Sequence, residues 1–216
     1  MGKIIYNKFD KKLITKLPRV MFEGTTIVVV SDFEARKAVD FLLNQPLLGI
    51  DTETRPSFKK GKQNVVSLLQ VATKNICFLF RLNYIGLSDN IRRLLEDTTV
   101  PKVGLSLHDD VLSLHKKGNF KPGLFIDLQD HIRELGIEDM SLQKLYANLF
   151  GMKISKTQQL SNWEADVLND KQKAYAATDA WACVMLYEEY LRLKDSGDYT
   201  LEIVDESEPE HLDSQS

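Results

Sequence analysis

Leu47-Leu48-Gly49-Ile50-Asp51-Thr52-Glu53 is an apolar run that turns acidic at its end. A short apolar stretch bounded by breakers suits a buried strand. Side chains two apart on a strand point the same way, so Asp51 and Glu53 share one face. Two carboxylates at the end of a buried strand repel each other and resist desolvation unless a cation neutralises them. A divalent metal with oxygen ligands is the natural partner. Taken alone, Asp-x-Glu is better explained as an idle, exposed strand-to-loop junction, so the reading depends on what else the chain supplies.

Upstream of this run, residues 26–30 are short and β-branched, which predicts a strand. Ser31 and Glu34 have the spacing of a capping box. A helix follows over 32–44, with Phe33, Ala38, Phe41 and Leu42 on its apolar side, and Pro46 ends it. Downstream, 55–64 combines breakers with Arg55, Lys59, Lys60 and Lys62 and reads as a loop. Residues 65–72 and 76–80 read as strands joined in a hairpin at Lys74-Asn75. Then come an amphipathic helix over 88–97, a short strand over 102–105 and a helix over 108–117 stopped by Gly118. Residues 124–127 form a last short strand or the lead into a helix ending near Gly136. Ser141 caps a helix to Phe150, 153–166 is loop-like, and 169–194 is one long helix. This order predicts an α/β fold, a mixed β-sheet flanked by α-helices.

The 216 residues suit one domain with a single sizeable core, and 43% hydrophobic with 27% charged residues is the balance of a globular protein. No stretch has the apolar length of a membrane span, and the N-terminus lacks a secretory pattern. Cys77 and Cys183 sit in apolar surroundings and read as reduced core residues, which places the protein in the cytoplasm. The net charge of −3 hides an asymmetry. Seven acids and no Lys or Arg lie from Gly197 onward, so the remainder carries 24 acids against 28 bases. A mildly basic body suits phosphate contact, and a plain solvated surface fits equally well. We expect a basic, irregular arm over 1–25, one domain over 26–196 and an acidic, disordered tail over 197–216. Leu201, Ile203 and Val204 leave open that part of this tail docks.

Two further groups carry chemistry. Tyr175 and Asp179 in Tyr-Ala-Ala-Thr-Asp-Ala lie four apart on a strong helix and share a face, although alone they read as well as a partly packed tyrosine and an ordinary surface acid. The run Val103 to Leu114 takes a short strand into a helix that opens with His108, Asp109 and Asp110. Acids there are favoured by the helix dipole, which is the plain explanation of both. Leu107, Val111 and Leu114 trace the apolar face, and helical phase puts Asp110 nearer to it than Asp109.

Together these pieces have the order and spacing of the DEDD exonuclease superfamily, in its tyrosine subgroup. The chain resembles the ribonuclease D and Werner-type branch. Val66-Ser67-Leu68-Leu69-Gln70-Val71-Ala72 and Ser161-Asn162-Trp163 with Gln172 match as well. The resemblance covers about residues 26–192 and implies a ribonuclease H-like fold and 3′→5′ exonuclease activity. It implies two divalent cations, Mg²⁺ or Mn²⁺, held by Asp51, Glu53, Asp110 and Asp179, with Tyr175 orienting the attacking water. The partner would be single-stranded or 3′-recessed nucleic acid, with DNA slightly favoured over RNA on the Gly104 region and the single-domain layout. RNA 3′-end trimming or a non-catalytic nucleic-acid-binding role are the alternatives. Arg55, Lys59, Lys60 and Lys62 follow the first acids directly and could contact phosphates or merely solubilise the loop. Phe58 could stack on a base or pack on the domain. His108 adjoins the second acid group, though a lone histidine is no sign of a ligand.

Overall fold

In the computed structural model, residues 2–57, 61 and 64–204 are described. Six strands form the main sheet: β2 (Thr25–Val29), β3 (Leu48–Thr54), β4 (Val66–Ala72), β5 (Ile76–Arg81), β6 (Lys102–Gly104) and β7 (Phe125–Asp127). Their order across the sheet is β2-β5-β4-β3-β6-β7. β4 runs antiparallel to both β3 and β5, and β2, β6 and β7 join by parallel pairing. The hairpin between β4 and β5 closes where the Thr73 hydroxyl accepts from the amides of Asn75 and Ile76. Every residue of β4 is buried, as expected of a central strand covered on both faces.

Alternation along the strands sorts the two layers. Leu48, Ile50, Leu69, Val71, Phe78 and Phe80 pack on one side with α2 (Asp32–Leu42) and α4 (Asp89–Glu96). The Ser31–Glu34 capping box is present at the start of α2. Leu68, Ala72, Cys77 and Leu79 face the other way, toward Ala176, Ala177 and Ala180 of the long helix α8 (Asp170–Ser196). The alanines give α8 high intrinsic helicity and a low surface. Asn169 and Gln172 cap its start reciprocally, and Gly197 ends it in the left-handed conformation at φ 61°. A Cβ on Gly49 would lie 1.9 Å from the Ala180 carbonyl oxygen. The helix therefore rests on β3 at a distance only glycine permits.

The remaining elements are α1 (Lys11–Ile14), α3 (Leu82–Ile85), α5 (Leu107–His115), α6 (Leu128–Ile132) with a 3-10 turn after it (Arg133–Leu135), α7 (Leu142–Phe150), and two outlying strands, β1 (Lys3–Tyr6) and β8 (Tyr199–Glu202). These two strands correct the sequence reading. The arm over 1–25 is not wholly irregular, and residues 199–202 are ordered. β1 and β8 pair in parallel as a separate two-stranded sheet. Ile5 is fully buried, Leu201 sits over the space at Gly136 that a Cβ would fill, and Lys3 pairs with Glu189. The Asn148 side chain closes the free edge of β1, accepting from the Tyr6 amide at 2.9 Å and donating to its carbonyl at 2.7 Å. Residues 205–216 of the acidic segment lie outside the described residues. No helix among those described is long and apolar enough to cross a membrane.

Gly49→Ala should force α8 off β3. The expected cost is about 2–3 kcal/mol, a fall in melting midpoint of roughly 4–12 °C. An unchanged midpoint in a thermal melt would mean that α8 does not rest on this glycine.

Candidate metal centre

The close seat of α8 on β3 decides the geometry of the acids. Asp51 and Glu53 project from the α8-facing side of β3, and a register shift in the pairing with β4 falls between Glu53 and Thr54. Asp179 immediately precedes Ala180, the residue whose carbonyl fills the space over Gly49. One ligand atom from each of Asp51, Glu53 and Asp179 lies within 4.8 Å of the others. Glu53 and Asp179 are buried and Asp51 is half-buried. They open into a cleft of about 310 Å³ that Leu105, Tyr175 and Cys183 also line.

Each carboxyl is pushed up. Asp51 stands well above the usual carboxylate range, first through loss of water and then through the charges of Asp110, Asp179 and Glu53. Burial, followed by Asp179 and Asp110, carries Glu53 to about 9. Burial carries Asp179 to about 7 against a hydrogen bond from Tyr175 and the charge of Lys156. Tyr175 is raised by burial and then by Asp179 and Glu53, so its phenol stays protonated and serves as a donor. Three acids held this way repel one another in a poorly hydrated site. The buried Oδ1 of Asp179 has no hydrogen-bond partner. Hard oxygen donors, surplus negative charge and an orphaned carboxylate atom together fit a divalent cation.

Asp110 stands beside this group. Its carboxylate accepts from the hydroxyl of Thr52, the residue between Asp51 and Glu53, and burial raises it to about 6 against that bond. Asp109 and His108 are exposed on α5. Arg55 is exposed and bridges Glu164 at 3.1 Å, tying the end of β3 to the loop before α8. Phe58, Lys59, Lys60 and Lys62 lie outside the described residues.

The 153–166 segment contributes more than its loop-like sequence announces. Lys156 and Gln159 line the cleft, and Lys156 presents its charge to Asp179. Sequence reasoning missed both, because a lysine in an aperiodic stretch has no spacing to give it away. The neighbouring Ser161-Asn162-Trp163 match was the available signal. Trp163 is fully buried beside Tyr175, with ring centroids 6.0 Å apart. Gln172 of the α8 cap reaches the Asn162 carbonyl at 3.2 Å, and buried Arg81 donates to the carbonyls of Ala165 and Asp166. Cys77 and Cys183 are both free and buried, and Cys183 also forms part of the cleft wall.

A family model described as a 3′-5′ exonuclease matches residues 26–193. Among curated proteins, the mouse bifunctional 3′-5′ exonuclease/ATP-dependent helicase WRN is 28% identical over 176 residues, 78% of this chain and 13% of that protein. DNA polymerase I of Aquifex aeolicus is 31% identical over 160 residues, 74% of this chain and 26% of that one. The chain thus spans about a quarter or less of the length of these two relatives. Among solved structures, the Aedes aegypti Nibbler EXO domain superposes with a TM-score of 0.72 at 23% identity, covering 80% of this chain and 90% of that one. The shared architecture is the ribonuclease H-like one, a mixed sheet flanked by helices. With the model match running from β2 almost to the end of α8, the chain belongs to the 3′-5′ exonuclease family.

Proposed function

We propose that this protein hydrolyses nucleic-acid strands from the 3′ end, releasing nucleoside 5′-monophosphates, and that it is a tyrosine-type member of its superfamily. The observation that carries the reading is the convergence of Asp51, Glu53 and Asp179 within 4.8 Å beneath an open cleft. Two divalent cations, Mg²⁺ or Mn²⁺, fit this acid set. Asp51 would serve both, Glu53 and Asp179 would complete the tighter site, and Asp110 would serve the second. Bound there, such cations acidify water and offset the charge of a phosphodiester.

The chain's own groups do the rest. The protonated Tyr175 phenol, which can accept as well as donate, orients the attacking water by hydrogen bonding, and it need not act as base. Water oxygen joins phosphorus while the bond to the 3′-oxygen of the penultimate nucleotide breaks. The attacking water gives up one proton to solvent, and the departing oxygen takes one from solvent and leaves as a hydroxyl. Lys156, in the cleft lining, offers a positive charge to the strand. Arg55, Phe58, Lys59, Lys60, Lys62 and His108 complete the proposed strand contacts. Single-stranded or 3′-recessed DNA is the proposed substrate, in preference to RNA. The sequence likeness to a DNA polymerase I supports that choice. Two buried, reduced cysteines suit the cytoplasm.

Asp51→Ala should fold and lose cleavage on the order of 10³-fold or more. The assay follows shortening of matched DNA and RNA oligonucleotides with Mg²⁺ or Mn²⁺, stopped by chelator. Near-wild-type turnover by the variant refutes the site, and equal or faster cutting of RNA refutes the polymer choice.

The raised carboxyls set a pH dependence. The folded, metal-free protein keeps protons on Glu53 and Asp179 that the unfolded chain has already lost. The contribution of these two acids to stability is therefore fullest below about pH 4 and is lost as pH climbs through about 7 for Asp179 and about 9 for Glu53. A cation that replaces those protons should raise the melting midpoint more at pH 9 than at pH 6. A metal-induced gain that is flat across this range would contradict the assignment.

A further inference from the structure

Ser106 is the only non-glycine residue with positive φ among those described, at φ 60° and ψ 39°. A left-handed serine persists only where its surroundings hold it. Its position is telling: Leu105 before it lines the cleft, Leu107 after it begins α5, and Asp110 follows one helical turn on. Ser106 precedes α5 as its N-cap residue but makes no side-chain cap of its own. The cap comes from another strand. Asp127, the register partner of Gly104 across the parallel β6–β7 pair, accepts from the Ser106 amide at 3.1 Å and the Leu107 amide at 2.7 Å. The same carboxylate accepts from the Gln129 amide at 3.0 Å and so caps α6 as well. Gln129 then returns its side-chain amide to the Ser106 hydroxyl at 2.7 Å and to the Met140 carbonyl at 3.1 Å.

One carboxylate thus fastens two helix starts and a strained turn. At the far end of this bracket the Asp110 carboxylate accepts from the hydroxyl of Thr52, the residue that separates the two acids of β3 in sequence. Building on the nuclease reading, we propose that Asp127, with Gln129, is a positioning residue for Asp110. It holds α5 so that the Asp110 carboxylate stays on Thr52, close enough for its charge to act on Asp51. Asp127 is not one of the three converging acids and does not line the cleft. Its part is to fix a helix whose short first turn has no cap of its own.

The test uses Mn²⁺ as probe, by calorimetry and electron paramagnetic resonance, on the full chain with Asp127→Asn, Gln129→Leu, Asp110→Asn and the Asp110→Asn/Asp127→Asn pair. Asp127→Asn should weaken the weaker Mn²⁺ site 10–100-fold while the tighter one is unchanged, with kcat for strand cleavage falling in step and KM little altered. The double variant should bind as Asp110→Asn alone does, because the bracket acts only through that acid. Adding Ser106→Gly to Asp127→Asn should recover part of the lost affinity, since glycine adopts the left-handed turn without restraint. If Asp127→Asn fails to fold, Gln129→Leu, which leaves the carboxylate in place, should show the same selective loss in smaller measure. Wild-type Mn²⁺ binding by the folded variants, equal loss at both sites, or additive losses in the double variant would overturn the proposal. A wild-type protein that binds Mn²⁺ but cuts no strand would sink the nuclease reading, and the binding measurements would still decide the bracket.

Discussion

Gly49 lacks a side chain, and the carbonyl of Ala180 occupies the space a Cβ would need. From that contact much else follows. It lets an alanine-faced helix lie directly on the central strand, and it brings Asp179 onto the two acids of β3. The outcome is a local conflict: three carboxyls are gathered where water is scarce, and each is driven toward its neutral form. The conflict is tolerated because the sheet is covered on both faces and the helix is secured at both ends. Stability supplied by the apolar layers offsets a destabilised site, the usual relation between a scaffold and the chemistry it carries.

The elements that were legible in the sequence are those whose side chains declare a period or a cap. The apolar run into Asp51, the β4–β5 hairpin, the Ser31–Glu34 box and the long helix from Asp170 all appear close to where their residues place them. Asp51, Glu53, Tyr175 and Asp179 were legible as candidates because strand and helix periods put each pair on one face. Helical phase put Asp110 nearer the apolar face than Asp109, and Asp110 is half-buried where Asp109 is exposed.

What escaped has one physical character: it depends on partners distant in sequence. Lys3–Tyr6 is four residues in a basic stretch, and its strand identity comes from Tyr199–Glu202 and from the Asn148 amide. Lys156 gains its meaning only when the loop folds back over Asp179. The left-handed turn at Ser106 is invisible to propensity, which would favour glycine there, because Asp127 and Gln129 impose it from the adjoining strand and helix. In such places tertiary structure overrules local preference.

The small β1–β8 sheet has a mechanical consequence. Its strands are parallel, so the chain enters at Lys3 on one end of the ladder and departs beyond Glu202 at the other. A pull on the two ends would slide the strands along each other and load their hydrogen bonds together, like a lap joint in shear. An antiparallel pair pulled the same way would peel open bond by bond. The domain is thus latched where tension would first reach it, some distance along α8 from the acids.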